Sequence, residues 1–332
     1  LNIAAGATDT KTTDIDASGF AATTINISGG TATSDIFLGG ATLNKTVTSV
    51  DASSYAGSVS LDASAASSVG VDFKLGNLDI TTTTGDAVTG SASTTTEDSL
   101  SGTFAASDAD AEFTQFSGIE NYNLTINDAV DVVAAANDGI GDGDNVVKTI
   151  TFTGGNTASS YTAADAIDGT KLTSFDASGF NGTMSVNVAG SIMKNVTMKA
   201  GGTALDTLVY SGVNGLSSAA AVGTGVANAS GYETVVFRTA TAASSVDMSG
   251  VTGATTVSVQ GDQNLTLSKL AAGVSVGVGE STASDNYSGK LTVALADATG
   301  SDDSLTFKRV KQDADDQVAA QLATTGIETV TR

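Results

Sequence analysis

The chain has 332 residues, of which 14 are basic and 36 acidic, so its formal net charge at pH 7 is −22. It contains no cysteine and no histidine, which excludes disulfides, thiolate chemistry, zinc–thiolate sites and catalysis by an imidazole base. The negative charge argues against nucleic acid and anionic membranes as partners, because both repel it, and it favours cations.

The composition predicts a folded chain rich in β-strands. Only 15% of the residues are charged and proline is absent, whereas disordered chains are typically rich in both. Every apolar stretch is interrupted well before about 20 residues, so no membrane insertion is expected. Apolar and polar residues alternate with a period of two, as in strands with one buried face, for example in Met184–Val188, Leu265–Leu267 and Val274–Val278.

A first motif, an apolar residue followed by Asp-x-Ser, recurs along the chain. Asp and Ser side chains bond nearby backbone N–H groups, so we interpret the motif as a turn at a corner between two strands. An alternating strand is predicted soon after each copy. The copies are Ile15–Phe20, Val50–Tyr55, Phe175–Phe180 and Val246–Val251, and the strands after them contain Ile25 and Ile27, Val59 and Leu61, Met184 to Val188, and Val257 and Val259.

A second pair of motifs keeps a regular distance. Asp-Ser/Thr-Leu begins a predicted strand and Gly-x-Glu precedes the next one, with 20, 25 and 23 residues from Leu to Glu (100 to 120, 208 to 233 and 305 to 328). A period of this size predicts a β-solenoid, in which successive coils stack. The repetition indicates that the glutamates cap or bridge neighbouring coils. The motifs begin at Asp98, Asp206 and Asp303 and end at Glu120, Glu233 and Glu328.

The predicted fold class is therefore all-β, a parallel β-helix or solenoid of stacked modules with short helical insertions. The Ala-rich segment Val318–Leu322, with apolar residues four apart and Gly326 beyond it, predicts one such helix. The Gly-x-Glu motifs divide the chain into three modules, residues 1–127, 128–239 and 240–332. Because the chain stops within four residues of Glu328, we expect it to be a segment of a larger protein.

The richest candidate metal site is the segment Asn137–Asn145. Its glycines allow tight turns, and its Asp and Asn side chains are hard oxygen ligands that suit Ca²⁺ without histidine or cysteine. A plain acidic hairpin is the alternative interpretation. The predicted calcium ligands are Asp138, Asp142, Asp144 and Asn145.

Other acidic residues at predicted strand ends are weaker candidates for calcium ligands. Turn chemistry enriches Asp and Asn at such positions whatever their function, so a structural role competes with each. These candidates are Glu97, Asp98, Asp285, Asp302 and Asp303. No catalytic residue is predicted, since catalysis by this chain would have to rely on carboxylates alone. The chain also has no tryptophan to stack on sugars.

The motifs resemble those of bacterial surface-layer proteins and related giant repeat proteins exported by type I secretion. The likeness rests on apolar-Asp-Ala-Ser-Gly-Phe, Asp-Ser/Thr-Leu and Phe-x-Gly-Ile-Glu in an acidic chain rich in Thr, Ala, Ser, Gly and Asp. It implies a secreted β-solenoid on the cell surface that self-assembles into a homo-oligomeric lattice with an RTX-like dependence on Ca²⁺. It also implies a separate region that grips cell-surface polysaccharide. The tandem Gly/Asp repeat block of such proteins is missing from this sequence.

Three structural functions stay open on the residues alone. A lattice protein buries its side faces against copies of itself, an adhesin presents a tip or groove to a foreign partner, and a filament protein stacks end to end. We expect a lattice protein and not an enzyme. The alternative is an adhesin or an extracellular filament or matrix protein of similar β-repeat architecture.

Overall fold

The computed structural model forms two compact units, residues 1–183 (unit 1) and 184–332 (unit 2). Its description excludes the side chains of residues 12–14, 110 and 309. The residues described are 1–6, 12–14, 22–31, 34–38, 46–63, 70–78, 86–91, 96–111, 113–134, 140, 146–163, 166–202, 204–213, 228–279, 287–297, 299, 303–309 and 321–331.

Unit 1 is built from short parallel strands in three sheets. The strand orders are β1-β3-β5-β7-β9-β12-β14-β16, β11-β8-β6-β4-β2 and β10-β13-β15. Because strands of one sheet alternate along the chain with strands of another, the backbone winds as a β-solenoid. The strands are β1 (Asn2–Ala5), β2 (Thr12–Asp14), β3 (Thr24–Gly29), β4 (Asp35–Leu38), β5 (Ser49–Tyr55), β6 (Ser58–Asp62), β7 (Asp72–Asn77), β8 (Ala87–Thr89), β9 (Ser99–Phe104), β10 (Asp108–Ala111), β11 (Phe116–Ser117), β12 (Asn121–Ile126), β13 (Asp131–Ala134), β14 (Thr149–Gly154), β15 (Ser160–Ala163) and β16 (Ser174–Phe180).

Unit 2 has the same construction. Its strand orders are β17-β19-β21-β24-β26-β28-β30, β18-β20-β23 and β22-β25-β27-β29. The strands are β17 (Thr183–Ala189, from the last residue of unit 1), β18 (Thr197–Lys199), β19 (Thr207–Val213), β20 (Asn228–Ser230), β21 (Thr234–Thr239), β22 (Ser244–Asp247), β23 (Val251–Thr252), β24 (Thr256–Gln260), β25 (Leu265–Leu270), β26 (Ser275–Val278), β27 (Lys290–Leu295), β28 (Ser304–Arg309), β29 (Gln321–Thr325) and β30 (Thr329–Thr331).

The core of each unit consists of apolar side chains stacked from coil to coil. Strand β9 shows the local rule, because its residues alternate strictly between half-buried and buried. Parallel pairing then places residues of one kind above each other. One inward column of unit 1 is Val50, Phe73, Leu100, Tyr122, Ile150 and Phe175, each at most 1% exposed, and one of unit 2 is Leu208, Val235, Val257 and Val276, each fully buried.

The predicted all-β solenoid class is thus confirmed, and so are the strands assigned to both motifs. The Asp-Ser/Thr-Leu motifs begin β9, β19 and β28, and the Gly-x-Glu motifs precede β12, β21 and β30. Each pair of strands lies side by side in register, for example Leu100 beside Tyr122. The division into three modules stays a prediction.

Two local predictions differ from the structure. Asp51-x-Ser53 and Asp176-x-Ser178 do not form corner turns: they lie inside β5 and β16 as β-bulges, where the Ser N–H donates to the Asp carboxylate at 3.0 Å. Asp247-x-Ser249 does form a turn, the 3-10 segment Met248–Gly250. The copy at Ile15–Phe20 lies outside the described residues.

The second difference concerns the predicted helix. Gln321 and Leu322, the described end of Val318–Leu322, belong to strand β29, because Leu322 pairs with Leu291 of β27; the rest of the segment lies outside the described residues. In the part of the chain that the structure describes, no helix is long and apolar enough to cross a membrane.

Unit 1 contains one substructure twice, 125 residues apart. Gly29 and Gly154 both have positive φ, and their carbonyls accept the N–H groups of Ala56 and Asn181 at 3.0 and 2.9 Å. Strands β5 and β16 share the same burial pattern and the same bulge. The repeated segments are 24–31 with 149–156 and 48–58 with 173–183.

Candidate functional site: paired carboxylates between coils

Three carboxylate pairs join consecutive coils, and each combines an Asp before one strand with a Glu before the next. We call Asp98/Glu120, Asp206/Glu233 and Asp303/Glu328 the carboxylate pairs. In each pair the Glu Oε2 accepts the backbone N–H of the Asp, at 2.8, 2.8 and 2.9 Å. The prediction that these glutamates bridge neighbouring coils is therefore confirmed.

The glycine of each Gly-x-Glu motif explains how the glutamate reaches its position. Gly118, Gly231 and Gly326 have φ of 68°, 79° and 65°, a left-handed conformation that other residues adopt only at a cost. At Gly231 an added β-carbon would also lie 2.6 Å from the carbonyl oxygen of Ala200. The motif is thus a backbone device that turns the chain and aims the glutamate at the preceding coil.

The aspartates of the first two pairs bond backwards in turn. The Oδ1 atoms of Asp98 and Asp206 accept the N–H groups of Val71 and Met184, which lie at the start of the coil before. Both aspartates are 1% exposed. A pair therefore links three consecutive coils, from the N–H of the first through Asp to Glu, in addition to the strand ladders.

Asp98 and Asp206 differ at their second carboxylate oxygen. Asp98 Oδ2 accepts the N–H of Ser91 at 2.7 Å and its hydroxyl at 2.8 Å. Asp206 Oδ2 is buried and has no hydrogen-bond partner among the described residues, and Asp303 Oδ2 is in the same condition. The equivalent residues Asp98 and Asp206 thus differ in how many hydrogen bonds their buried carboxylates accept.

Burial shifts the titration of these groups. Removal from water, offset by the Met184 N–H and reinforced by the charge of Glu233, raises the pKa of Asp206 to about 6. Burial also raises the pKa of Glu120, offset by the Asp98 N–H and reinforced by the Asp98 carboxylate. Two carboxylates close together in a buried place favour retention of a proton.

The structure describes three of the nine predicted calcium ligands, Glu97, Asp98 and Asp303. Glu97 is exposed on unit 1, where Lys148 at 2.7 Å and Asn121 at 3.0 Å donate to its carboxylate and lower its pKa. Asp98 and Asp303 belong to the carboxylate pairs. Among the described residues no three acidic groups come together as a metal site. Outside the described residues lie Asp138, Asp142, Asp144, Asn145, Asp285 and Asp302.

Polar side chains also connect coils on the outer face of unit 1. The Ser99 hydroxyl donates to Asp72 at 2.6 Å and the Thr149 hydroxyl to Asn121 at 2.7 Å. Lys74 lies 3.3 Å from Asp51 of the neighbouring strand. Parallel pairing brings such side chains together at the strand spacing of about 4.8 Å. Polar cross-strand contacts therefore add to the backbone ladders on this face.

Two concavities of the molecule differ in the residues that line them. One in unit 2, of about 260 Å³, is lined by apolar groups including Met248, Val251 and Leu270. One in unit 1 contains a single carboxylate, that of Asp128. Glycoside hydrolysis uses two carboxylates that flank the scissile bond, and neither concavity presents such a pair.

The sequence patterns do not single out Ser91, whose two donors satisfy Asp98, or Asp86, which accepts the Val59 N–H at 2.8 Å. Asp86-Ala-Val begins a strand as Asp98-Ser-Leu does, and this similarity was the signal for it. Ser91 lies seven residues before its partner and has no motif of its own. Its role depends on the fold.

The chain matches no protein-family model, no curated protein and no solved structure in the comparisons made with known proteins.

Asp98→Ala is expected to lower the free energy of unfolding by about 2 kcal/mol, because the buried Val71 N–H and the donors of Ser91 lose their acceptor. Denaturant unfolding followed by circular dichroism measures the loss. Asp128→Ala removes the same charge from an exposed position of unit 1 and is expected to stay within about 0.5 kcal/mol of the parent. Equal losses in both variants would contradict the assignment.

Proposed function

We propose that the protein is a structural extracellular protein that self-assembles into a calcium-stabilised bacterial surface layer. The observation that supports this most directly is that the acidic motif residues hydrogen-bond between coils. Asp98, Asp206 and their glutamate partners bond backbone groups of neighbouring coils, so the motif residues serve the stack itself. A rigid stack of coils is the kind of element from which a mechanical layer is built.

The charge of the chain supports calcium as the stabilising ion. The excess of 22 negative charges repels itself, and divalent cations reduce that repulsion. Glu97 and Asp98 already accept hydrogen bonds from Lys148 and Ser91, so they fit a calcium ion poorly. We therefore assign calcium to the acidic segment with Asp138, Asp142, Asp144 and Asn145, on its sequence alone.

The test is assembly of the purified chain in Ca²⁺, in EGTA and in NaCl of matched ionic strength, with negative-stain imaging and a melting curve. We expect periodic sheets in Ca²⁺ alone. A tenfold excess of ion over Kd stabilises by about 1.4 kcal/mol per site, and Asp142→Ala/Asp144→Ala should abolish that gain.

The matched control is Asp128→Ala/Asp297→Ala, which removes the same charge from exposed positions. This variant should still form the periodic sheets and should keep the rise in melting temperature caused by Ca²⁺. Isolated fibres would instead identify a filament protein. Equal melting shifts in Ca²⁺ and NaCl would remove calcium from the proposal.

A further inference from the structure

The carboxylate pair Asp206/Glu233 of unit 2 lacks one partner that its counterpart Asp98/Glu120 in unit 1 has. In both pairs the glutamate ends a Ser-Gly-x-Glu sequence, Ser117–Glu120 and Ser230–Glu233. In unit 1 the Gly90 N–H donates to the Ser117 carbonyl at 2.7 Å, and in unit 2 the Ala200 N–H donates to the Ser230 carbonyl at 2.9 Å. The residue after each donor therefore occupies the same place in the coil.

That place is held by Ser91 in unit 1 and by Gly201 in unit 2. Ser91 supplies the N–H and hydroxyl that satisfy Asp98 Oδ2. Gly201 has no hydroxyl, and Asp206 Oδ2 is left without a hydrogen-bond partner among the described residues. A buried carboxylate oxygen without a donor is costly, so Asp206 lacks the compensation that Asp98 receives from Ser91.

The surroundings of Asp206 indicate what completes it. Asp206 is 1% exposed, so its carboxylate has almost no contact with solvent. The groups that act on it are the Met184 N–H, which donates to Oδ1, and the negative charge of Glu233. No described lysine or arginine contributes a compensating charge. A proton needs no extra space and removes the repulsion between the two carboxylates.

We propose that Asp206, beside the carboxylate of Glu233, takes up a proton in mildly acidic surroundings, and that this proton makes the contact between consecutive coils of unit 2 tighter there than at neutral pH. The proton neutralises the buried Asp206 Oδ2 atom, which has no donor among the described residues, and removes the repulsion between Asp206 and Glu233. The proposal concerns the stability of the stack and holds whether or not the chain assembles into a layer.

The direction of the pH dependence follows from the carboxyl titration. The pKa of Asp206 is about 6 in the folded chain against 3.8 as the ordinary value. Between these values the folded state holds one proton more than the unfolded state, so stability rises as the pH falls through 6 and the gain is complete near the ordinary value. From pH 7 to pH 5 the equilibrium constant for closing this contact rises about tenfold.

Hydrogen–deuterium exchange of the full chain, corrected for intrinsic rates, measures this locally. We expect protection of the β17 and β19 amides to rise about tenfold from pH 7 to pH 5 in the parent. Asp206→Asn has no carboxyl to titrate and should lose the rise. Asp247→Asn is the control, because Lys269 at 2.7 Å and Ser249 hold Asp247 ionised; it should keep the rise.

Gly201→Ser is a second, independent variant. Its hydroxyl should serve Asp206 Oδ2 as Ser91 serves Asp98, so protection at pH 7 should increase and the rise should disappear. Retention of the tenfold rise in Asp206→Asn would overturn the proposal. It would also fail if Ca²⁺ at pH 7, against NaCl of equal ionic strength, gave the parent the same protection and Asp206→Asn removed it, since the pair would then bind a metal ion.

Discussion

Gly57→Ala is expected to lower the free energy of unfolding of unit 1 by more than about 3 kcal/mol. Gly57 lies between β5 and β6, and a β-carbon there would lie 1.9 Å from the carbonyl oxygen of Ser34 in the preceding coil. That oxygen accepts the N–H of Ser58 at 3.1 Å. Both partners are backbone, so no side chain can move aside, and the coils must separate.

Chemical denaturation followed by circular dichroism measures the loss, and two further glycines make the result specific. Gly182 is the equivalent of Gly57 in the second copy, and its β-carbon would lie 2.3 Å from the Ser159 oxygen. Gly182→Ala should therefore reproduce the loss. Gly169 has ordinary φ, and no atom of the described residues lies within 4 Å of an added β-carbon, so Gly169→Ala should be neutral or slightly stabilising. A small effect at Gly57 would disprove the close coil contact.

Phe152→Ala is expected to cost about 3–5 kcal/mol, the range for removing a fully buried aromatic side chain. Phe152 is 0% exposed, and its ring centroid lies 4.4 Å from that of Tyr161 and 5.6 Å from that of Phe175. The substitution leaves a cavity between stacked coils, whose backbone ladders limit collapse into it.

The matched control for the Phe152 prediction is Leu205→Ala in unit 2. Leu205 is 77% exposed, so its truncation should change stability by no more than about 0.5 kcal/mol. Thermal and denaturant unfolding of both variants supply the comparison. Comparable losses at the two positions would show that the apolar columns do not provide the main stabilisation of the fold.

The sequence was informative where a pattern depends on local periodicity. Alternation predicted the strands around Leu100, Leu208 and Leu305, and the repeated spacing predicted both the solenoid and the bridging role of Glu120. These features follow from burying one face of each strand and from repeating that arrangement in each coil. Neither requires knowledge of which coil lies beside which residue.

Predictions failed where distant pairing decides the local structure. The Asp51-x-Ser53 motif has the chemistry of a turn, yet pairing of β5 with β3 and β7 keeps it within the sheet as a bulge. Leu322 ends an Ala-rich segment whose apolar spacing is helical, yet its backbone pairs with that of Leu291 in a strand. The contrast between Ser91 and Gly201 was equally hidden, because it requires two coils to be superposed.

The varying length of the coils separates two properties that are usually linked. Consecutive partners in the first sheet of unit 1 are 22 to 28 residues apart, as from Ser99 to Asn121 and from Asn121 to Thr149, yet each coil advances the stack by the same strand spacing of about 4.8 Å. The number of coils therefore sets the axial length of unit 1, while residues gained or lost between strands alter only its circumference. A lineage could decorate the sides of such a protein freely and still conserve its length, or lengthen it by whole coils without redesigning the core.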